Sequence, residues 1–558
     1  MSSVKIDQEP SRGPVAQLEE FLVAVEAIVG ADNVSRDPSS GGPAGFDDST
    51  AYGDPFPLAS TPPAPGPAIR PATVDEVRDV VRAANRFRVP LWVVSRGKNL
   101  GYGGSAPVED QSVVLDLHRM NKIIEINEEY AYAIVEPGVT FIQLYDEIQR
   151  RKLDLWLSVP ALGWGSVVGN TLERGFGYTP EAAHYKHQCG MEVVLPSGDL
   201  LRTGMGALAG SKVWPLYSGG FGPGLDSLFF QSNFGVVTKM GIHMSPAPEA
   251  YTRIVVEVPR EADLVPLVGA MTDLMRRRIV TNPPQLFDRM PMVTEAARLH
   301  PELLAMLGPY GALDRHIPDT VMDAVATAIG LPAWRAAFAL YGPPEAQDGL
   351  LAAVKRRMAL VDGAVLTSET FTAEPGSYLR GAVVTPDFLP QNGVPGIELA
   401  AMFSPAADGR WHNCFAPVLP PSGRELYEWY QGARALTAAH DLNFFADFHV
   451  FDRYVISINL IVFHASAAPR IHALQLALME FSTGLGYLEY RTHVSFMDTT
   501  AASQDFNGGA FGRFTTLLKD AIDPNGVLAP GKQGIWNSDA KLQRLSLGGA
   551  EEAEDKKE

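Results

Sequence analysis

Residues whose types and spacing could do chemistry gather at a few places in this chain of 558 residues. The run Arg96-Gly-Lys-Asn-Leu-Gly-Tyr-Gly-Gly104 sets glycines at 97, 101, 103 and 104. Such a run can turn successive backbone N–H groups toward one point, an anion nest to which Arg96 and Lys98 add positive charge for a phosphate. The same composition also serves as a plain connection between strands, and both readings stand at this point. Gly163-Trp-Gly-Ser-Val-Val-Gly169 approximates the dinucleotide fingerprint, which needs a strand before it and a helix after it. Gly175, Gly177 and Pro180 interrupt the segment after Gly169. No helix is therefore expected there, a nicotinamide-type site is rejected, and a tight turn is the better reading. A third place is Phe444-Phe-Ala-Asp-Phe-His-Val-Phe451, where strand alternation puts Asp447 and His449 on one face and Phe448 on the other.

These groups need elements to position them. A Pro-, Gly-, Ser- and Asp-rich stretch from Phe46 to Gly66 reads as an extended arm. Thr73-Val-Asp-Glu76 has the spacing of a capping box and opens a helix to about Arg88, stopped by Pro90. Leu91–Ser95 is a short buried strand that leads into the glycine-rich turn. Strands over Val113–Leu117 and Ala131–Glu136 and a helix after Thr140 complete an α+β pattern. Around Pro246–Pro248 the character changes. Helical runs at Leu264–Arg277, Thr320–Ile329 and Gly349–Met358 precede strands at Leu399–Phe403 and Phe444–Phe451. After about Thr500 the chain resembles its first part again, with a helix near Phe511–Ile522 and the turn Asp523-Pro-Asn-Gly526. The expected organisation is a discontinuous first domain (1–247 and 501–558) with a second α+β unit, 248–500, inserted into it.

Composition bounds the partners. The apolar share of 46% fits a globular chain with a large core. The net charge of −18 repels phosphate backbones, so nucleic acid is not an expected partner. No apolar run is long enough to cross a bilayer. The segment Met1–Pro14 lacks the basic-then-apolar pattern of a secretory signal, and a cytoplasmic location is expected. The two cysteines, Cys189 and Cys414, are too few and too far apart for a disulfide framework or a metal site.

Taken in order, a set of motifs carries a specific similarity. They are Gly101-Tyr-Gly-Gly104, Val135-Glu-Pro-Gly-Val139, Val168-Gly-Asn-Thr171, Glu173-Arg-Gly-Phe-Gly-Tyr-Thr-Pro180, Cys189-Gly-Met-Glu-Val-Val194 and Arg202-Thr-Gly-Met-Gly206. The series ends with Tyr490-Arg-Thr-His493 and Ala529-Pro-Gly-Lys532. With these the chain resembles the vanillyl-alcohol oxidase and para-cresol methylhydroxylase family of flavoproteins, from about Pro71 to Ser245 and again from Tyr490 to Trp536. The resemblance implies a two-subdomain α+β FAD-binding domain with an inserted α+β cap over the flavin. It places the pyrophosphate at Arg96, Gly97, Lys98, Asn99, Leu100 and Gly101. Further FAD contacts are implied for Asn170, Thr171, Glu173, Gly175, Gly177, Gly235, Val237 and Lys532. Tyr102, Tyr490 and Arg491 match the family's phenolate site, and Tyr178 matches a further active-site tyrosine. Because neighbours on a regular strand face opposite sides, Tyr490 and Arg491 converge only if the backbone bends there or Arg491 reaches around. Phe444 and Met402 align with cavity-wall positions and serve equally well as core.

The chain departs from that family at two places. The oxidases carry an aspartate near flavin N5 where Ala161 stands. Where the family tethers its flavin through a histidine or a tyrosine, Ala400 and Asn392 stand, and the pyrophosphate turn offers Lys98 in place of a histidine. Non-covalent FAD is therefore expected. Asp447, on a strand where the hydroxylase branch has an acidic residue, is the candidate substitute base, its pKa raised by burial. A satisfied Asp447–His449 pair at an interface is the competing reading. The expected activity is removal of a benzylic hydride from a para-substituted phenol. The phenol is the small-molecule partner, with oxygen, somewhat favoured over a protein acceptor, as oxidant and a homo-oligomer as the expected assembly. The alternatives are a family member acting on another substrate, such as a bulky lignin-derived dimer or a 2-hydroxy acid, and a flavin-binding protein that has lost catalysis.

Overall fold

Short, continuously apolar runs are the signature of strands buried on both faces. In the computed structural model, which describes residues 14–37, 52–59, 62–311, 315–381, 389–397 and 410–540, the first of these runs build a small sheet. Its order is Val34–Ser35, Ala68–Ile69, Val113–Asp116, Leu91–Val94, with the last three parallel. The helix Val74–Phe87 makes the crossover and packs Val77, Val80, Val81 and Ala84 against it. Thr73 caps the helix by accepting from the Glu76 N–H at 3.2 Å. The Glu76 carboxylate takes the Ala72 N–H at 2.7 Å instead of that of Thr73, so the expected capping box is only half formed. The helix ends at the left-handed Arg88, just before Pro90.

A second, antiparallel sheet runs Ile123–Asn127, Tyr132–Val135, Val236–His243, Gln188–Val194, Leu200–Arg202. The helix Phe141–Arg151, opened by a full Thr140–Gln143 capping box, covers it with Phe141, Leu144 and Ile148. The expectation that no helix follows the cluster Gly163–Gly169 is corrected, since a short one starts within it and runs past Gly169. Ser166 accepts from the Gly169 N–H at 2.9 Å and caps a short helix, Val167–Leu172. One good cap sustains that much helix before Gly175. The strand ahead of it, Leu155–Trp156, pairs antiparallel with Ser245–Pro246, unlike the strand of a dinucleotide fold.

The third sheet is antiparallel in the order Val365–Thr372, Ala250–Val258, Trp334–Gly342, Gln285–Phe287, Asp447–Val450, Val455–Ser457, Arg410–Leu419, Asn459–His464, with Glu489–Arg491 beside Arg410–Leu419. Helices Leu264–Arg276, Pro344–Met358, Gly423–Ala439 and Ala468–Gly484 contribute to the core on one face of it, around Trp334, Trp429, Phe415 and Phe448. On the opposite face Val462 packs with the helices Arg289–Leu299, Pro301–Leu307 and Asp319–Ala328, while His412, Cys414, Asp447 and His449 border a cavity shared with the two small sheets. The strand expected at Leu399–Phe403 lies outside the described residues.

After Ala502 the chain returns to the first sheet. The Leu91 N–H donates to Val527 O and the Ala529 N–H to Leu91 O, both at 2.7 Å. Val527 and Leu528 join the core of Leu91 and Val113. The helix Phe506–Ile522 anchors this return through Lys519. Its buried ammonium pairs with Asp523 at 2.7 Å and donates to Leu528 O and Asn233 O. Among the described residues no helix is long and apolar enough to cross a membrane.

Candidate active site

The two small sheets and part of that opposite face of the third border a cavity of about 340 Å³. The turn after Leu91–Val94 forms one wall. Positive φ at Gly97 (61°), Gly101 (77°), Gly103 (103°) and Gly104 (56°) folds it tightly. The Leu100, Tyr102 and Gly104 N–H groups bond back within the turn. Those of Gly97, Asn99 and Gly101 have no acceptor among the described residues. Arg96 Nε is buried with no partner among the described residues, and burial lowers the guanidinium's pKa. A half-buried cation beside open amides is the complement of a phosphate. Gly101 is held to glycine by contact as well as by φ, because a Cβ there would lie 2.7 Å from Cys414 Sγ and 2.8 Å from His412 Nε2.

Across the cavity stand Asn170, Glu173 and Gly175, from the short helix and its end, with Gly235 and Val237 where the strand Val236–His243 begins. Lys532 pairs with Glu173 at 2.5 Å. Burial alone would raise the Glu173 pKa, but Lys532 and Arg491 outweigh it and hold the carboxyl below its ordinary value. Asn233, which the sequence reading missed, lines the cavity too. Its Nδ2 donates to Ala529 O and Ile535 O, while its buried Oδ1 has no partner among the described residues. Of the positions expected to contact the cofactor, Gly101, Thr171 and Gly177 do not line the cavity. Thr171 turns its hydroxyl back to Val167 O at 2.8 Å, and Gly177 gives room to Ser158 and His184. All three work one layer behind the wall.

The other end of the cavity brings Tyr102, Tyr490 and Arg491 together. Alternation would have sent Tyr490 and Arg491 to opposite faces. The strand escapes this by a bulge: Arg491 pairs with Ala416 and Glu489 with Pro417, so Tyr490 is the extra residue. The Arg491 guanidinium lies 4.3 Å above the Tyr102 ring and donates through Nη2 to Asn99 Oδ1. Its Nε is buried with no partner among the described residues. Tyr490 packs in the same small cluster as Tyr102. Burial pushes Tyr490 up to about 12, against the lowering by Arg491, and pushes Tyr102 well above the ordinary range. Both tyrosines therefore remain neutral donors at neutral pH.

Asp447, His449 and Tyr178 form the facing wall, and Phe448 points into the core, as alternation requires. Asp447 accepts from Gln285 Nε2 at 3.1 and 3.2 Å. His449 Nε2 is 3.1 Å from Asp447 Oδ1, yet neither ring nitrogen makes an aligned hydrogen bond among the described residues. Burial, then Asp447 and Tyr490, push the Tyr178 phenol well above its ordinary value. Gln285 was missed in the sequence, where the run Gln285-Leu-Phe287 shows no alternation; its pairing with His449 appears only in the folded sheet. Cys414, also missed, sits beside Tyr102, its thiol raised to about 12 by burial. Ala161 lines the cavity. Phe444 packs in the core instead, and Asn392 is fully buried away from the cavity. Ala400 and Met402 lie outside the described residues.

Comparison with known proteins fits this geometry. A family model described as an FAD binding domain matches residues 65–204, which hold both the glycine-rich turn and the short helix. The flavoprotein subunit of 4-cresol dehydrogenase (hydroxylating) from Pseudomonas putida is 34% identical over 490 residues, covering 86% of this chain and 90% of that protein. The structure of 4-ethylphenol oxidase from Gulosibacter chungangensis in complex with isoeugenol superposes with a TM-score of 0.83 at 30% identity, covering 94% of this chain and 98% of that one. That of p-cresol methylhydroxylase with substrate bound gives 0.80 at 31% identity, with 93% and 97% covered. The open amides of Gly97 and Asn99 and the unpaired Arg96 Nε fit FAD at this site.

Proposed function

The chain belongs to the vanillyl-alcohol oxidase and p-cresol methylhydroxylase family of FAD-dependent oxidoreductases, and from that premise we propose that it oxidises para-substituted phenols by removing a hydride from the benzylic carbon of the bound phenolate. The observation that carries this reading is the meeting of Tyr102, Tyr490 and Arg491 at one end of the cavity.

Loss of a hydride leaves a cation-like carbon, and a para phenolate stabilises it by pushing electrons through the ring to a quinone methide. The substrate must therefore be bound ionised, its pKa lowered by a few units. Arg491 supplies a fixed positive charge and the two tyrosines supply hydrogen bonds, all in a site where burial strengthens both. Because burial holds the tyrosines' own protons in place, they donate to the substrate oxygen and do not compete with it for ionisation. FAD, when bound, supplies the two-electron acceptor. Arg96, Lys98 and the amides of the turn would hold its pyrophosphate, and Asn170, Glu173, Gly235 and Val237 would line its path.

The quinone methide then loses a proton or adds water, and Asp447 is the base we assign to that proton. Gln285 orients its carboxylate, and Ala161 stands where the oxidases carry their aspartate. We also propose that FAD is held without a covalent bond, since Ala400, Asn392 and Lys98 occupy the positions of the family's tethers. Acid precipitation should leave the yellow colour in solution, and colour in the pellet would contradict this.

The reading is tested by anaerobic mixing with a 4-alkylphenol and, in parallel, with its methyl ether. The phenol should bleach the flavin's visible band and the ether, which cannot ionise, should not. Bleaching by neither marks a protein that binds flavin without this activity. Reoxidation in air-saturated buffer, set against reoxidation by added cytochrome c, separates oxygen from a protein acceptor.

A further inference from the structure

The bulge that turns Tyr490 and Arg491 to the same cavity has its own support beneath it. Where a strand carries an extra residue, the ladder opens and a backbone N–H opposite it loses its ordinary acceptor. Here the affected N–H is that of Ala416, the partner of Arg491. It donates to the carboxylate of Glu489 at 3.2 Å. The same carboxylate receives the Thr492 hydroxyl at 2.9 Å and Gln475 Nε2 at 3.3 and 3.4 Å. Gln475 is fixed in turn by Asn413, whose Nδ2 donates to its Oε1 at 2.8 Å. Glu489, Thr492, Gln475 and Asn413 are all buried. One side chain thus joins the residues flanking Tyr490-Arg491 to the strand Arg410–Leu419 and to the helix Ala468–Gly484.

We infer that Glu489 is the positioning residue of the phenol clamp: its carboxyl replaces the ladder acceptor lost at the bulge and so fixes Tyr490 and Arg491 toward one oxygen. This rests on the proposed binding of a phenolate by Tyr102, Tyr490 and Arg491. A glutamate that merely filled the core would have no reason to gather its donors from both sides of the bulge. Its burial also pushes the carboxyl up to about 8, so it can sit two residues from Arg491 without cancelling the guanidinium's pull on a phenolate.

The test uses the FAD-loaded protein and 4-hydroxybenzaldehyde, a para-substituted phenol whose absorbance distinguishes phenol from phenolate. Wild type should bind it as phenolate below its solution pKa. Glu489→Gln, which keeps the shape and mimics the protonated acid, should stay within about threefold of wild type in affinity. Glu489→Leu, which leaves three donors without an acceptor, should weaken binding at least tenfold and return the bound probe's pKa toward its solution value, while flavin content is retained. Should Glu489→Leu fail to fold, Thr492→Val, lacking one of the donors, decides: it should weaken binding about two- to threefold, and wild-type affinity would overturn the inference. A folded Glu489→Leu that binds the phenolate like wild type overturns it too, as does a Glu489→Gln as impaired as the leucine variant. If wild type itself fails to ionise the probe, the clamp reading fails, and the inference with it.

Discussion

Arg491 is the residue on which the account turns most sharply. It stacks on Tyr102, reaches Asn99 in the cofactor-side turn, and keeps Nε free of partners among the described residues. It therefore links the phenol end of the cavity to the end assigned to FAD. Replacing it with Gln removes the fixed charge but keeps a donor. Flavin reduction by a saturating 4-alkylphenol should then slow by roughly 100- to 1000-fold, about 2.7–4 kcal/mol, the cost typical of losing one preorganised donor to a developing or bound anion. Stopped-flow reduction rates check this, and a loss under tenfold would show that the tyrosines bind the phenolate unaided. At this level the sequence was most informative, because residue types in a fixed order survive where geometry is hidden. Tyr102, Tyr178, Asp447, Tyr490 and Arg491 all line the cavity. Gln285 and Asn233 escaped because a single amide carries no pattern, and its role exists only in the contacts that folding makes. Gly101, Thr171 and Gly177 share motifs with cofactor-side residues yet face away from the cavity. A motif records which positions are constrained, not which side of the wall they occupy.

The local elements explain why those residues can meet. The glycine-rich turn keeps amides open by adopting left-handed backbone at four glycines, and at Gly101 the neighbouring strand leaves no room for a side chain. Gly101→Ala should therefore cost about 1–2 kcal/mol from the backbone alone, with the Cβ contact to Cys414 and His412 in addition. Its readout is the ratio of flavin to protein after purification. That ratio should fall well below wild type, and full occupancy would contradict the role given to this turn. Alternation correctly put Asp447 and His449 on one face and Phe448 in the core. At Tyr490-Arg491 the same rule allowed convergence only with a bend, and the bulge supplies it; that bulge depends on the register with the partner strand, which the local run does not show. The short helix Val167–Leu172 was missed for a similar reason. Glycines weigh against a helix in proportion to its length, but this one needs only the Ser166 cap and a place against the sheet of Val236–His243.

For the molecule as a whole, the arrangement is a cofactor cradle from both small sheets closed over by one face of a larger sheet. Val527–Ala529 pairs with Leu91, and Lys519 ties that return to Asn233. These contacts support the division 1–247, 248–500 and 501–558, which we retain as a proposal. The return was legible in the sequence only as a change of character after Thr500, because the parallel bridge to Leu91 joins segments more than four hundred residues apart. The broad α+β pattern was easier to read, since local periodicity dictates it. The activity we propose for this arrangement is one act, taking a hydride from a benzylic carbon while the para oxygen is held as a phenolate. The direct test is anaerobic stopped-flow reduction by 4-ethylphenol set against the same compound with deuterium at both benzylic positions. The account predicts bleaching of the flavin band that is severalfold slower with the deuterated compound. Equal rates under conditions where chemistry limits reduction, or no bleaching by either compound, would contradict it.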